Sequence, residues 1–172
     1  MKILVVGDSF VPVAVFKRGF ADLEARHHIE YLQLDESLPA TPVTDSLRSI
    51  REYLGSPGEV AGRVAEAEIL VVHGAPVTAE VIAAAPQLVM ICCARGGPVN
   101  VDVKAASARR IPVVNTPGKN AEAVADQTIA LMIMLARGFP KAQRFLIEGG
   151  RLGESAYEGA RFLGHELGGR VL

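Results

Sequence analysis

The sequence predicts an α/β protein: a parallel sheet covered by helices on both faces, followed by a long helix belonging to a second unit. Three observations predict it. Apolar, strand-like runs alternate with helix-like segments, the pattern of β-α-β units. Most of the strand runs are continuously apolar rather than alternating, as expected of strands buried on both sides. After Asn115 the alternation stops, and a segment that is apolar on every side begins.

The strands are expected at residues 2–6, 28–34, 68–73, 88–94 and 112–115, with helices between them at 13–24, 45–54, 59–66, 78–84 and 102–109. Pro39, Pro42, Pro57 and Pro86 fall between these elements, where a proline break costs little. Thr116-Pro117-Gly118-Lys119 is a turn, and Asn120 is a helix N-cap candidate. A helix is then expected from 121 to about 146, kinked or restarted at Pro140. Its centre, 129–136, is apolar all round, and such a helix is buried. Little else in the chain remains to cover it, so a partner subunit or a further domain is expected there. Residues 149–169 read as a glycine-rich arm with Tyr157 and Phe162 as isolated aromatics, and 168–172 as the start of another strand.

Composition narrows the function classes. The 172 residues carry 18 Lys and Arg against 19 Asp and Glu, so no basic footprint for nucleic acid is present. At 49% hydrophobic the chain buries a real core, and with 5% aromatics and no Trp that core is aliphatic. The run 129–136 is far short of the roughly 20 residues that span a bilayer. Ile3-Leu4-Val5-Val6 is too short for a signal-peptide core. A cytoplasmic protein with no membrane partner is expected. Cys92 and Cys93 are adjacent, so a bridge between them would be strained; two buried thiols in one strand are expected.

The candidate site lies where strands end. The run 88–94 stops abruptly at Arg95-Gly96-Gly97, just before a helix. Glycines there let a ligand approach the backbone, and the guanidinium fork suits a carboxylate or phosphate. Gly74 and Ala75, after the strand 68–73, are placed to offer N–H groups to an anion, and His73 is either a further ligand contact or a solvated strand-end residue. Arg109-Arg110 reads as structural, positive charge at a helix end. Gly7-Asp8-Ser9 is similar to the nucleophile block of the GDSL-type esterases, but the Gly-x-Asn-Asp and Asp-x-x-His blocks of that family are missing. It reads as a polar loop.

Taken in order, these pieces resemble the D-2-hydroxyacid dehydrogenases related to phosphoglycerate dehydrogenase. The resemblance rests on 95–102 (RGGPVNVD), 111–120 (IPVVNTPGKN), Val124-Ala125-Asp126, Leu135-Ala136-Arg137 and 166–172 (ELGGRVL). It implies a flavodoxin-like substrate domain over 1–118. It also implies that 119–172 begins an NAD(P)-binding Rossmann domain, with a helix and arm that form a homodimer. It further implies that Gly74, Ala75, Gly96 and Gly97 bind a 2-hydroxy or 2-oxo acid, to which the strand-end position of Arg95 adds a guanidinium. Gly96 and Asn120 would touch the cofactor, NAD or NADP. The departures point away from phosphoglycerate: Arg95 stands where the family has glycine, Val99 replaces the usual Asp, and His73-Gly74 replaces Arg-Ser. No Gly-x-Gly occurs, and none of the family's catalytic arginine, carboxylate and histidine is present. The expectation is the N-terminal part of an oxidoreductase, inactive alone and with no catalytic residue of its own. The alternative is a non-enzymatic module that binds a small carboxylate or a partner.

Overall fold

The computed structural model describes residues 1–35, 47–153 and 158–171. These fall into two compact units, Met1–Lys119 and Asn120–Leu172. The first is built on β1 (Lys2–Gly7), α1 (Val13–Glu24), β2 (His28–Gln33), α2 (Pro57–Ala61), β3 (Ile69–Val72), α3 (Ala79–Ala83), β4 (Met90–Cys93), α4 (Val103–Ala108) and β5 (Val113–Asn115). The five strands form one parallel sheet in the order β2-β1-β3-β4-β5, the flavodoxin-like order.

Strand alternation sorts the core into two layers. Leu4, Val6, Leu70, Val72, Ile91 and Cys93 face one way, onto residues such as Val60, Val81, Ile82 and Ala106 from α2, α3 and α4. Ile3, Val5 and Val71 face the other way, onto Phe16 of α1. Each fully buried aliphatic side chain contributes about 1.5–3 kcal/mol. The same alternation separates the two cysteines. Cys93 is buried, whereas Cys92 is only half-buried on the α1 face, where two buried thiols were expected. Burial pushes both thiols above the usual range, so neither is an activated nucleophile.

Short helices are fixed by their caps. Ser56 Oγ accepts from Gly58 N–H, Thr78 Oγ1 from Val81 N–H and Asp102 Oδ1 from Ala105 N–H. The Arg109 guanidinium donates to the carbonyls of Ile82, Ala85 and Pro86. Its role is structural, as expected, but it serves the end of α3 rather than only its own helix.

The helix expected over 45–54 does not form among the described residues. Only a 3-10 turn, Leu47–Ser49, is present; Asp45 and Ser46 lie outside the described residues. Two backbone donors are captured by the sheet edge instead. Arg51 N–H donates to Val99 O (2.7 Å) and Leu54 N–H to Gly74 O (2.9 Å). Between them Glu52 takes φ +52°, which no helix contains.

In the second unit α5 (Ala121–Ala136) and α6 (Phe139–Ile147) replace the single expected helix. The break falls at Gly138, at φ +71°, and Pro140 sits in the first turn of α6, where its missing N–H costs nothing. Phe162 is not isolated: its ring packs on Phe145 at 5.1 Å, with Arg161 over both rings. Tyr157 lies outside the described residues. Gly168 and Gly169 form a turn closed by Arg170 N–H to Leu167 O, and no strand forms through residue 171, since a strand needs a ladder partner. No helix of the described residues is long and apolar enough to cross a membrane.

Candidate functional site

In an open parallel sheet, ligands bind beyond the carboxyl ends of the strands, where the strand order reverses. Here that point lies between β1 and β3. The loops that follow these strands meet at Asp8. Its side chain is fully buried, and every acceptor direction is used. Oδ1 accepts from Phe10 N–H and Val11 N–H, both at 2.9 Å. Oδ2 accepts from Gly74 N–H at 2.7 Å and pairs with His73 Nδ1 at 2.9 Å. Burial pushes the Asp8 carboxyl up, but the bonds from Val11, His73 and Gly74 outweigh it and hold the group below the usual carboxylate range. A carboxylate only accepts, so His73 Nδ1 is the donor of this bond.

This arrangement fixes what the residues after β3 offer. The Gly74 N–H, expected to face an anion, donates to Asp8, because a buried carboxylate must be hydrogen-bonded. A Cβ at Gly74 would lie 2.9 Å from Asp8 Oδ2 and 3.1 Å from Leu54 Cδ1, so only glycine fits there. Ala75 is fully buried, and its carbonyl accepts from Asn100 Nδ2 at 2.7 Å.

The turn after β4 is more open. Gly96 is exposed, and a Cβ on Gly97 would meet nothing within 4 Å. The Asn115 amide donates to Gly96 O, and Thr116 N–H and Oγ1 to Arg95 O, which ties the turn to β5. Arg95 does not reach out alone. Nη1 donates to Glu52 O and Nη2 to Glu52 Oε2, each at 2.6 Å. Together Phe10, Glu52, Tyr53, Leu54, His73, Gly74 and Arg95 line a cleft of about 340 Å³. Arg95 and Gly74 therefore share one cleft. Asn120 belongs to the second unit, at the N-cap position of α5, and its side chain makes no capping bond.

Sequence reasoning left out three residues of this site. Asp8 was read as part of a polar loop, Glu52 as part of a helix, and Asn100 was given no role. A buried-carboxylate reading of Asp8 had one signal: a lone acid set between an apolar strand and a proline-led helix. No group of three or more candidate ligands for a metal occurs among the described residues.

Comparison with known proteins places these features in context. The family described as D-isomer specific 2-hydroxyacid dehydrogenase, catalytic domain, matches residues 36–166. The D-3-phosphoglycerate dehydrogenase of Archaeoglobus fulgidus is 41% identical over 114 residues, 66% of this chain and 20% of that protein. The glyoxylate reductase of Korarchaeum cryptofilum is 32% identical over 164 residues, 95% of this chain and 44% of that protein. Among solved structures, the NAD⁺-bound 3-phosphoglycerate dehydrogenase of Entamoeba histolytica superposes with a TM-score of 0.55 at 25% identity, covering 80% of this chain and 40% of that one. The chain thus spans less than half the length of each of these relatives.

Proposed function

The chain belongs to the D-isomer specific 2-hydroxyacid dehydrogenase family, and we propose that it is the substrate-binding part of an NAD(P)-dependent oxidoreductase interconverting a D-2-hydroxy acid and its 2-oxo acid. The observation that carries this reading is the open Gly96-Gly97 turn that follows Arg95, which lines one cleft with His73 and Gly74 at the carboxyl edge of the sheet; Ala75, Gly96 and Gly97 are not among the residues that line it. Residues 1–118 act as the substrate domain. Residues 119–172 begin the cofactor domain, and a cytoplasmic setting goes with that role.

In this reading the N–H groups of Gly96 and Gly97 take the substrate carboxylate. Gly74 and Arg95 line the cleft next to that turn, with Ala75 buried behind Gly74. The cofactor, when bound, supplies or accepts the hydride. The residues present fit only its nicotinamide end. Exposed Gly96, in the first unit, is the group that would touch it. No Gly-x-Gly turn exists in the sequence to take a pyrophosphate.

Titration of the ¹⁵N-labelled 172-residue chain with pyruvate tests the reading. Amide shifts centred on Gly96 and Gly97 are expected, together with no oxidation of NADH. Absence of any shift there would overturn the binding role, and turnover would overturn the inactivity.

The same reading makes α5 a dimer helix, with residues 149–169 as an arm. Leu131 and Leu135, one turn apart, are 47% and 69% exposed. The chain is expected to run as a dimer by light scattering, and Leu131→Glu with Leu135→Glu as a monomer. A monomeric parent chain would count against it.

A further inference from the structure

We propose that Glu52 is a specificity-determining residue: by occupying the Arg95 guanidinium, it makes the cleft accept an acid with an uncharged side chain and reject one carrying a second anionic group. The proposal rests on the reading of the cleft as a 2-hydroxy acid site. Arg95 is the cation of the cleft lining, and a free guanidinium fork there would recruit a phosphate or second carboxylate bidentately. Its fork is not free. One amino group is held by the Glu52 carbonyl and the other by the Glu52 carboxylate.

The Glu52 backbone is also fixed in place, while its carboxylate, at 68% exposure, is held by the Arg95 pair itself. Its neighbours Arg51 and Leu54 are hydrogen-bonded to Val99 and Gly74, and the left-handed φ of +52° at Glu52 is one that non-glycine residues rarely adopt. An incoming anion would have to displace that carboxylate, or sit beside it. His73, a further polar residue of the lining, is held through Nδ1 by buried Asp8. What remains of the wall is Phe10, Tyr53 and Leu54, an aromatic and aliphatic surface that suits an apolar substituent. Specificity then comes from a repulsive element as much as from an attractive one.

The test compares dissociation constants of the 172-residue chain for pyruvate, phenylpyruvate and 3-phosphohydroxypyruvate by saturation-transfer NMR. The chain is expected to bind phenylpyruvate about tenfold more tightly than the phosphorylated acid, since a like charge beside the ligand suppresses it. Glu52→Gln keeps the side-chain volume and releases the positive charge, and it should bring the two ligands to about equal affinity. Arg95→Met added to that variant should abolish the gain; circular dichroism confirms that each variant is folded. A preference for the phosphorylated acid in the parent chain, or an unchanged ratio in Glu52→Gln, overturns the proposal. Pyruvate separates the two layers. If pyruvate binds and the ratio does not move, only the role of Glu52 falls. If pyruvate does not bind, the reading of the cleft falls and takes this proposal with it.

Discussion

Asp8→Ala is expected to lower the unfolding free energy by about 3–5 kcal/mol, since several donors to one buried carboxylate lose their partner together. The substitution strands four donors at once: the N–H groups of Phe10, Val11 and Gly74, and His73 Nδ1. Each buried donor left without a partner costs about 1–3 kcal/mol, and the costs are not additive because the loop relaxes. Asp8→Asn separates charge from geometry. It keeps one oxygen for Phe10 and Val11 but turns an amino group toward two groups that are themselves donors. Urea unfolding at pH 7 reads both effects.

The pH dependence checks the same site independently. The folded-state pKa of Asp8 lies below its unfolded value, so its stabilisation is present above the unfolded value and lost as pH falls through the folded one. The parent chain should therefore lose this contribution below about pH 3.9, the unperturbed carboxyl value. Asp8→Asn should lack that component of the acid slope. An acid limb of equal steepness in both proteins would show that Asp8 is not the linked group.

Much of the fold was legible in the sequence because burial on both faces writes itself as uninterrupted apolar runs. All five strands of the sheet fall within one or two residues of where those runs place them, and α1 spans the stretch its apolar spacing indicates. The site was legible only as far as local pattern reaches. Arg95-Gly96-Gly97 announces a turn after a strand, but the partner of Arg95 lies 43 residues earlier, in a segment whose composition reads as helix. The partner of Asp8 lies 65 residues later. Sheet topology makes the Asp8 pairing by bringing the loops after β1 and β3 to one edge, and the Arg95 pairing joins the loop after β4 to the segment between β2 and α2. The helix over 45–54 was misplaced for the same reason, since tertiary hydrogen bonds to Val99 and Gly74 overrode helical propensity. The chain break at Gly138 was half legible. Pro140 signalled it, and the left-handed glycine two residues earlier carries it out.

Asn100→Ala is expected to cost about 2–3 kcal/mol and to loosen the cleft without removing any group that lines it, because an unsatisfied buried polar group costs about that much. Asn100 is fully buried. Its amide nitrogen donates to His73 O at 3.1 Å and Ala75 O at 2.7 Å, and its oxygen accepts from Cys93 Sγ at 3.4 Å. One side chain on the loop after β4 thus holds two carbonyls of the loop after β3. That tie joins the loop that carries the Gly96-Gly97 turn to the His73–Ala75 segment. Two further variants apportion the effect. Cys93→Ala removes only the weak thiol bond and a little packing, so it should cost much less than Asn100→Ala. Asn100→Asp replaces the donor with a group that, when ionised, faces two carbonyl oxygens in a buried site. Its folded-state pKa must rise, so its stability falls as pH rises above the unfolded carboxyl value, the opposite sign to Asp8. Denaturation midpoints at pH 5 and pH 8 measure this directly, and a flat response would mean that water enters beside residue 100. If the tie positions the cleft, Asn100→Ala should also weaken pyruvate binding under conditions where the protein remains folded. Unchanged pyruvate affinity in a destabilised Asn100→Ala chain would assign Asn100 to the core alone.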